Sequence, residues 1–218
     1  MLRPSPRVRC AALAYCALTT STTALVALSA TAHSDPQAPS AATAAPTTKR
    51  ERLNVRVGQT AVVTGDAAAD RTVVLQRRGH HGWRTIDRAM TDATGHYRLR
   101  HRPRAASTAG VRVRVAGTSA TRPLGRLNAY RRASASWYGP GLYGNHLACG
   151  ERLSDAVRGV ARKSLPCGTR VTLRKGDRIV RARVVDRGPF VAGREFDLTP
   201  AVKRALGFGS TGTVDVAT

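Results

Sequence analysis

From Arg50 to Leu127, apolar and polar positions alternate in short runs separated by turn residues. Val111 to Val115 alternates strictly with Arg112 and Arg114. That spacing predicts a strand with one face buried and the other in water. Asn54 to Val57 and Thr60 to Thr64 read the same way and end at Gly65-Asp66. Thr72 to Gln76 is β-branched and apolar, and Gly79-His80-His81-Gly82 after it predicts a turn. Trp83–Ile86, Ala89–Thr91 and Tyr97–Arg100 predict further strands. Short strands at this spacing predict a β-sandwich over residues 51–127.

Beyond a junction at residues 128–133 the pattern changes. Ser134 to Trp137 predicts a short strand running into a Gly/Pro loop at 139–145. Thr169–Leu173 and Ile179–Val185 alternate around Lys175-Gly176-Asp177, which predicts a hairpin. Thr213–Val216 predicts a last strand. Phe196 to Ala201 reads as a helix start: Thr199 can cap, Pro200 takes the first helical position, and Gly207 closes after Leu206. The expected fold is a small, closed β-barrel with short helices over residues 133–218. Asp186 and Asp197 stand at the ends of elements, where a rigid scaffold presents chemistry.

Residues 1–32 read as a secretory signal. Arg3, Arg7 and Arg9 precede apolar runs, and Ala30-Thr31-Ala32 offers a small-x-small cleavage site. Threonines and a serine at 19–23 interrupt the apolar stretch, so a spanning helix is not expected there or later in the chain. Residues 33–50, rich in Ala, Pro, Ser and Thr, read as a disordered linker. The expected location is outside the cell, at its wall.

A formal charge of +23 changes the picture of partners. Apart from Lys49, Lys163, Lys175 and Lys203, every fixed cation is arginine. Such a chain is drawn to anionic polymers, those of the cell wall included. It has no dense basic run, zinc-finger spacing or aromatic RNA-binding motif, so no specific nucleic-acid partner is expected. His80-His81 lacks a third ligand in register, and neither a metal nor a cofactor is expected. Cys10 and Cys16 leave with the signal, while Cys149 and Cys167 remain. In an oxidising compartment this pair reads as a disulfide, with a cysteine nucleophile as the alternative.

Two resemblances refine this reading. Val74-Leu75-Gln76-Arg77, Trp83-Arg84-Thr85, Thr94-Gly95-His96-Tyr97 and the Val/Arg alternation at 111–115 resemble immunoglobulin-like domains of bacterial surface proteins. The second is more specific. Ala135-Ser-Trp-Tyr-Gly139, Cys149-Gly-Glu-Arg152, Leu165-Pro166, Gly168-Thr169, Asp186-Arg-Gly-Pro-Phe190 and Asp197-Leu-Thr199 resemble the rare lipoprotein A (RlpA-like) family. The resemblance implies a six-stranded double-psi β-barrel related to expansins. It also implies a peptidoglycan substrate and, in some members, lytic transglycosylase activity.

Carried over by motif, Glu151, Asp186 and Asp197 are the candidate catalytic carboxylates, with Asp197 first. One residue departs from the pattern: Arg162 stands where the family usually has histidine. Trp137, Tyr138 and Tyr143 are candidate sugar platforms, with plugging of the barrel end as the alternative for Trp137. Arg162 and Arg187 are candidate anchors for anionic substrate groups. Cleaving a glycosidic bond needs an acid for the leaving oxygen. A transglycosylase can work with one carboxyl, because the sugar's own 6-hydroxyl replaces water. The expectation is therefore a wall enzyme, and the alternative is a non-catalytic, expansin-like binding or loosening module.

Overall fold

The structure, a computed structural model, describes residues 44–218. The expected signal and the expected linker as far as residue 43 lie outside the described residues.

The linker expected to reach residue 50 stops short of it. The N–H groups of Thr47 and Lys49 donate to the carbonyls of Asp66 and Thr64, each at 2.8 Å. An extended backbone beside an open strand edge satisfies its polar groups this way. Then come β1 (Arg50–Arg52), β2 (Asn54–Arg56), β3 (Ala61–Asp66), β4 (Thr72–Gly79), β5 (Gly82–Met90), β6 (His96–His101), β7 (Ser107–Val115) and β8 (Thr121–Trp137). One sheet runs β1-β3-β6, and a second runs β5-β4-β7-β8-β2. The two stretches expected as separate strands, 83–86 and 89–91, form the single strand β5 (to Met90), with Ile86 the extra residue where the register against β4 shifts between Leu75 and Gln76.

The alternation on β7 is realised: Val111, Val113 and Val115 are buried and their arginine neighbours are not. They join Val55, Val63, Leu75, Leu99 and Leu127 in one core drawn from both sheets.

β8 continues without a break through the expected junction. Its first half pairs with β7 and β2, and its second half, from Arg131, pairs with the last strand. The barrel adds β9 (Gly159–Ala161), β10 (Arg170–Lys175), β11 (Arg178–Asp186), β12 (Phe196–Leu198), α1 (Pro200–Leu206) and β13 (Thr211–Ala217). The pairings β8-β12-β9-β11-β10-β13-β8 close a six-stranded ring, with β9–β11 and β8–β12 parallel. Val160, Leu173, Val184, Phe196, Leu198, Val214 and Val216 fill it.

α1 begins at Pro200 and ends at Gly207, whose left-handed backbone (φ 59°) suits glycine. Two details of the expected helix start change. Residues 196–198 are a strand, so Asp197 sits mid-strand. Thr199 makes no side-chain cap. Its fully buried hydroxyl donates to Val157 O (2.6 Å) and accepts from Gly159 N–H (3.1 Å), fastening the chain that enters β9.

Asp215 on β13 joins the two lobes. It receives Arg56 from β2 (3.0 and 3.3 Å) and Arg174 from β10 (3.2 and 2.7 Å). Burial alone pushes its carboxyl up, but the hydrogen bonds from Arg174 and Arg56 outweigh burial and hold it below the ordinary aspartate range.

Candidate active site

Strand register places the candidate carboxylates. Asp197 lies opposite Ser136 of β8 on one side and Ala161 of β9 on the other. Asp186 lies opposite the same Ala161 from β11. Two inter-strand steps separate the aspartate backbones, about 10 Å.

Facing follows from alternation. Phe196 and Leu198 point into the barrel core, so Asp197 between them points out. Val184 also points in, and strict alternation would turn Asp186 inward with it. A β-bulge prevents this. Val184 pairs with Val160 and Asp186 with Ala161, so Val185 is an extra residue. Its side chain joins Leu147 and Leu153 in a small outer cluster packed by Tyr138. Re-aiming a side chain is a common use of a bulge. The outcome is a lateral row on the outer face: Ser136, Asp197, Ala161, Asp186.

The bulge is held from several sides. Cys149 N–H donates to Val185 O (3.1 Å), and Gly168 N–H donates to Val184 O (2.8 Å). The Cys149–Cys167 disulfide joins those two loops, with Cα atoms 5.6 Å apart. Gly159 is required for close approach: a Cβ there would stand 2.2 Å from Val185 Cγ2.

Around the row, each candidate takes a distinct place. Ser136 Oγ donates to Asp197 Oδ1. Asp186 Oδ1 accepts from the N–H groups of Ala148 and Arg187, both 2.8 Å, which orients the carboxylate and the 147–149 loop. Glu151 accepts from Arg183 at 2.7 Å. The Tyr138 hydroxyl is buried without a hydrogen-bond partner. Burial pushes this phenol well above the ordinary tyrosine range, and the charges of Asp186, Asp197 and Glu151 push it the same way. All three carboxylates therefore lie within electrostatic reach of one phenol.

Other candidates are engaged elsewhere. Trp137 packs on the barrel core, against Gly139, with the Lys203 amine 3.8 Å from its ring centroid. The ring is half-buried, with the lysine over one face. Tyr143 donates to Asp155 (3.0 Å), which also pairs with Arg204. Arg187 reaches the carbonyls of Arg162 (3.3 Å) and Leu165 (3.0 Å) and the sulfur of Cys167 (3.3 Å), so it fastens a loop. Arg162 donates to Glu195 O (2.9 Å) and Oε2 (3.3 Å) and lies 4.9 Å over the Phe196 ring. Glu195 also takes a two-pronged contact from Arg131 (3.0 and 2.7 Å), so two arginines share one carboxylate, and Arg162 Nε is buried without a hydrogen-bond partner. The Arg131 hydrogen bond leads in holding the Glu195 carboxyl below its ordinary value.

Two residues were not singled out by sequence reasoning. Ser136 lay inside the Ser-Trp-Tyr-Gly motif, and its pairing with Asp197 spans 61 positions. Phe190 closes the Asp186 motif and is 80% exposed, an aromatic face open to solvent beside the turn that follows Asp186. No group of His, Cys, Asp and Glu side chains suited to a metal ion occurs among the described residues.

Comparison with known proteins agrees with this geometry. A family model described as lytic transglycolase matches residues 130–218. A probable endolytic peptidoglycan transglycosylase RlpA of Synechocystis is 46% identical over 86 residues, which is 38% of this chain and 26% of that protein. The probable RlpA of Aquifex aeolicus is 39% identical over 87 residues (39% and 38%). The RlpA of Pseudomonas aeruginosa is 39% identical over 97 residues (43% and 28%). The chain thus spans between about a quarter and two fifths of the length of these relatives. With the closed ring of six strands, the matches establish that residues 130–218 form an RlpA-like double-psi β-barrel domain.

Proposed function

We propose that this chain is a cell-wall protein that cleaves peptidoglycan glycan strands as a lytic transglycosylase, with Asp197 as acid and base. The observation that carries this reading is the lateral row on the outer face of the barrel. There the bulge at Val185 brings Asp186 onto the side that already presents Asp197. The names of the relatives support the same substrate.

In the proposed reaction the Asp197 carboxyl delivers its proton to the glycosidic oxygen as the bond from that oxygen to C1 breaks. The 6-hydroxyl of the same sugar then forms a bond to C1. Its proton returns to Asp197, and no water is consumed. Ser136 holds one Asp197 oxygen and leaves the other for the substrate. Asp186, oriented by two backbone N–H groups, sits across Ala161 and stabilises positive charge developing at C1. Phe190 offers a stacking face at the rim, and Glu151 flanks the row.

The Cys149–Cys167 disulfide fits an oxidising location outside the cytoplasm. No helix among the described residues is long and apolar enough to cross a membrane. A charge of +23 favours retention on an anionic wall.

The test is mass spectrometry of purified peptidoglycan after incubation with the protein, beside Asp197→Asn. Anhydro-muramyl products from the wild type and none from the variant are expected. Arg162, locked to Glu195 in the histidine position, favours a second reading, a non-catalytic wall-binding module. Intact glycan that still sediments with the protein would establish that reading and defeat the first.

A further inference from the structure

A large concavity lies away from the carboxylates. A groove of about 1130 Å³ runs between the β4–β5 hairpin, the β7–β8 edge and the barrel strand β11. Arg77, Arg78, Arg84, Arg126 and Arg181 line it, and no Asp or Glu does. A second hollow of about 570 Å³ shares Arg126 and Arg181 and adds Arg158. Among the described residues none of these six arginines is in an ion pair.

The arrangement costs folding energy. Arg77 and Arg84 stand directly opposite each other across the β4–β5 ladder. Like charges in that relation are destabilising. Close by, Arg112 is pushed below the ordinary arginine range, first by burial and then by Arg114 and Arg78. Elsewhere the chain meets its clustered arginines with carboxylates, as at Asp215 and Glu195. In the groove no carboxylate among the described residues is within ion-pair distance of these arginines, that of the lining residue Thr218 included, which leaves the cluster open to an external anion.

The remaining lining narrows the choice of anion. Thr85 supplies a hydroxyl, that of Thr108 being already donated to Asn128 (3.0 Å), and Gly79, Gly110 and Gly125 leave the backbone uncovered. Arginine forks, hydroxyls and backbone N–H groups together are the set that contacts phosphate oxygens. The aromatic rings of the lining are the imidazoles of His80 and His81, so it offers bases no Phe, Tyr or Trp face to stack on. The neighbouring Trp83 lies beneath Arg112 (4.2 Å to the ring centroid) and Arg78 (5.7 Å), so its ring is occupied.

We propose that this interlobe groove binds a linear phosphodiester polymer of the cell wall. It would hold the protein on that polymer while the barrel addresses glycan. The site shares no residue with the carboxylate row, and its test does not depend on peptidoglycan cleavage.

Fluorescence anisotropy of a labelled oligo(glycerol phosphate) against the full chain measures the binding. Oligogalacturonate and single-stranded DNA of equal charge serve as competitors. The glycerol phosphate oligomer should bind tightest. Affinity should fall with salt by about 0.7 log units per log unit of salt for each arginine engaged. Changing Arg77, Arg84, Arg126 and Arg181 to Gln should weaken binding at least about thirtyfold and flatten the salt dependence by about 3. A control lacking the same charge, with Arg50, Arg52, Arg98 and Arg100 changed to Gln, should stay within about threefold.

Equal losses in the two variants would mean that net charge alone attracts the polymer, and would overturn the site. Tighter binding of DNA or polyuronate would overturn the assigned partner. Should the fourfold groove variant lose its circular dichroism spectrum, the Arg126→Gln/Arg181→Gln pair decides. About a fivefold loss supports the groove, and no loss rejects it.

Discussion

Replacing Gly159 by Ala probes the link between packing and chemistry in this barrel. Gly159 opens β9, and its missing side chain makes room for Val185, the extra residue of the bulge. An added Cβ would lie 2.2 Å from Val185 Cγ2, 2.7 Å from Cγ1 and 3.0 Å from Cβ. Since all three contacts fall on one β-branched side chain, rotation about χ1 cannot relieve them, and the bulge backbone must retreat. Reaching ordinary van der Waals separation at the closest contact takes a shift of about 1.5 Å. Overpacking of this kind costs roughly 1–3 kcal/mol. Asp186 is the next residue along, so it moves with the bulge. A catalytic group displaced by about 1 Å costs on the order of a hundredfold in rate.

Urea unfolding should therefore show a lower midpoint for Gly159→Ala. Release of anhydro-muramyl products should fall about a hundredfold. Adding Val185→Ala removes both methyl groups that clash and should recover much of the rate, though not the packing that Val185 gave its outer cluster. Loss of stability with full activity would show that the bulge does not transmit to Asp186. Wild-type behaviour in both assays would refute the steric argument itself.

Further expectations concern what holds the frame. Asp215→Asn should cost about 2–3 kcal/mol in chemical unfolding, below the range for fully buried pairs because Arg56 stays 43% exposed on its side chain. Asp215 and Glu195 are both held below their ordinary values, so their contribution is complete above about pH 5 and is lost as pH falls through the depressed folded-state values. An acid titration of stability should be shallower for Asp215→Asn than for wild type, with Glu195 still contributing to the remaining slope. Thr199→Val leaves Val157 O and Gly159 N–H without their partner and should cost about 1–3 kcal/mol, with Thr199→Ser close to wild type. Replacing Cys149 and Cys167 by Ser should lower stability by about 3 kcal/mol, read from the denaturant midpoint, given their separation of 18 positions.

The parts legible from sequence are those whose signal is local. Val111–Val115 alternates over its own length, the β10–β11 hairpin carries its turn at Gly176, and α1 is bracketed by Pro200 and Gly207. What escaped the reading depends on distant pairing. β9 and β12 are three residues each, too short for a period, and exist because they close the ring between β11 and β8. The outward facing of Asp186 depends on a bulge defined against β9, which no alternation within β11 reveals. Arg162 looked like a free cation because its partner Glu195 lies 33 positions away. The contacts of Arg187 are hidden in the same way, with partners 20 to 25 positions away.

β8 runs uninterrupted from Thr121 to Trp137 and serves both lobes. Along it, Tyr130 sits under Arg174 while Ala133 and Ala135 face the barrel interior, all set by a two-residue rhythm. The strand thus acts as a shared reading frame. Inserting or deleting one residue between Asn128 and Arg132 would turn Ser136 inward and Ala135 outward, and Asp197 would lose its hydroxyl partner. Two residues would preserve the phase. Grafting this barrel onto another protein, or shuffling it in evolution, is then constrained by parity at the seam: the two lobes are separable as cores but not as frames.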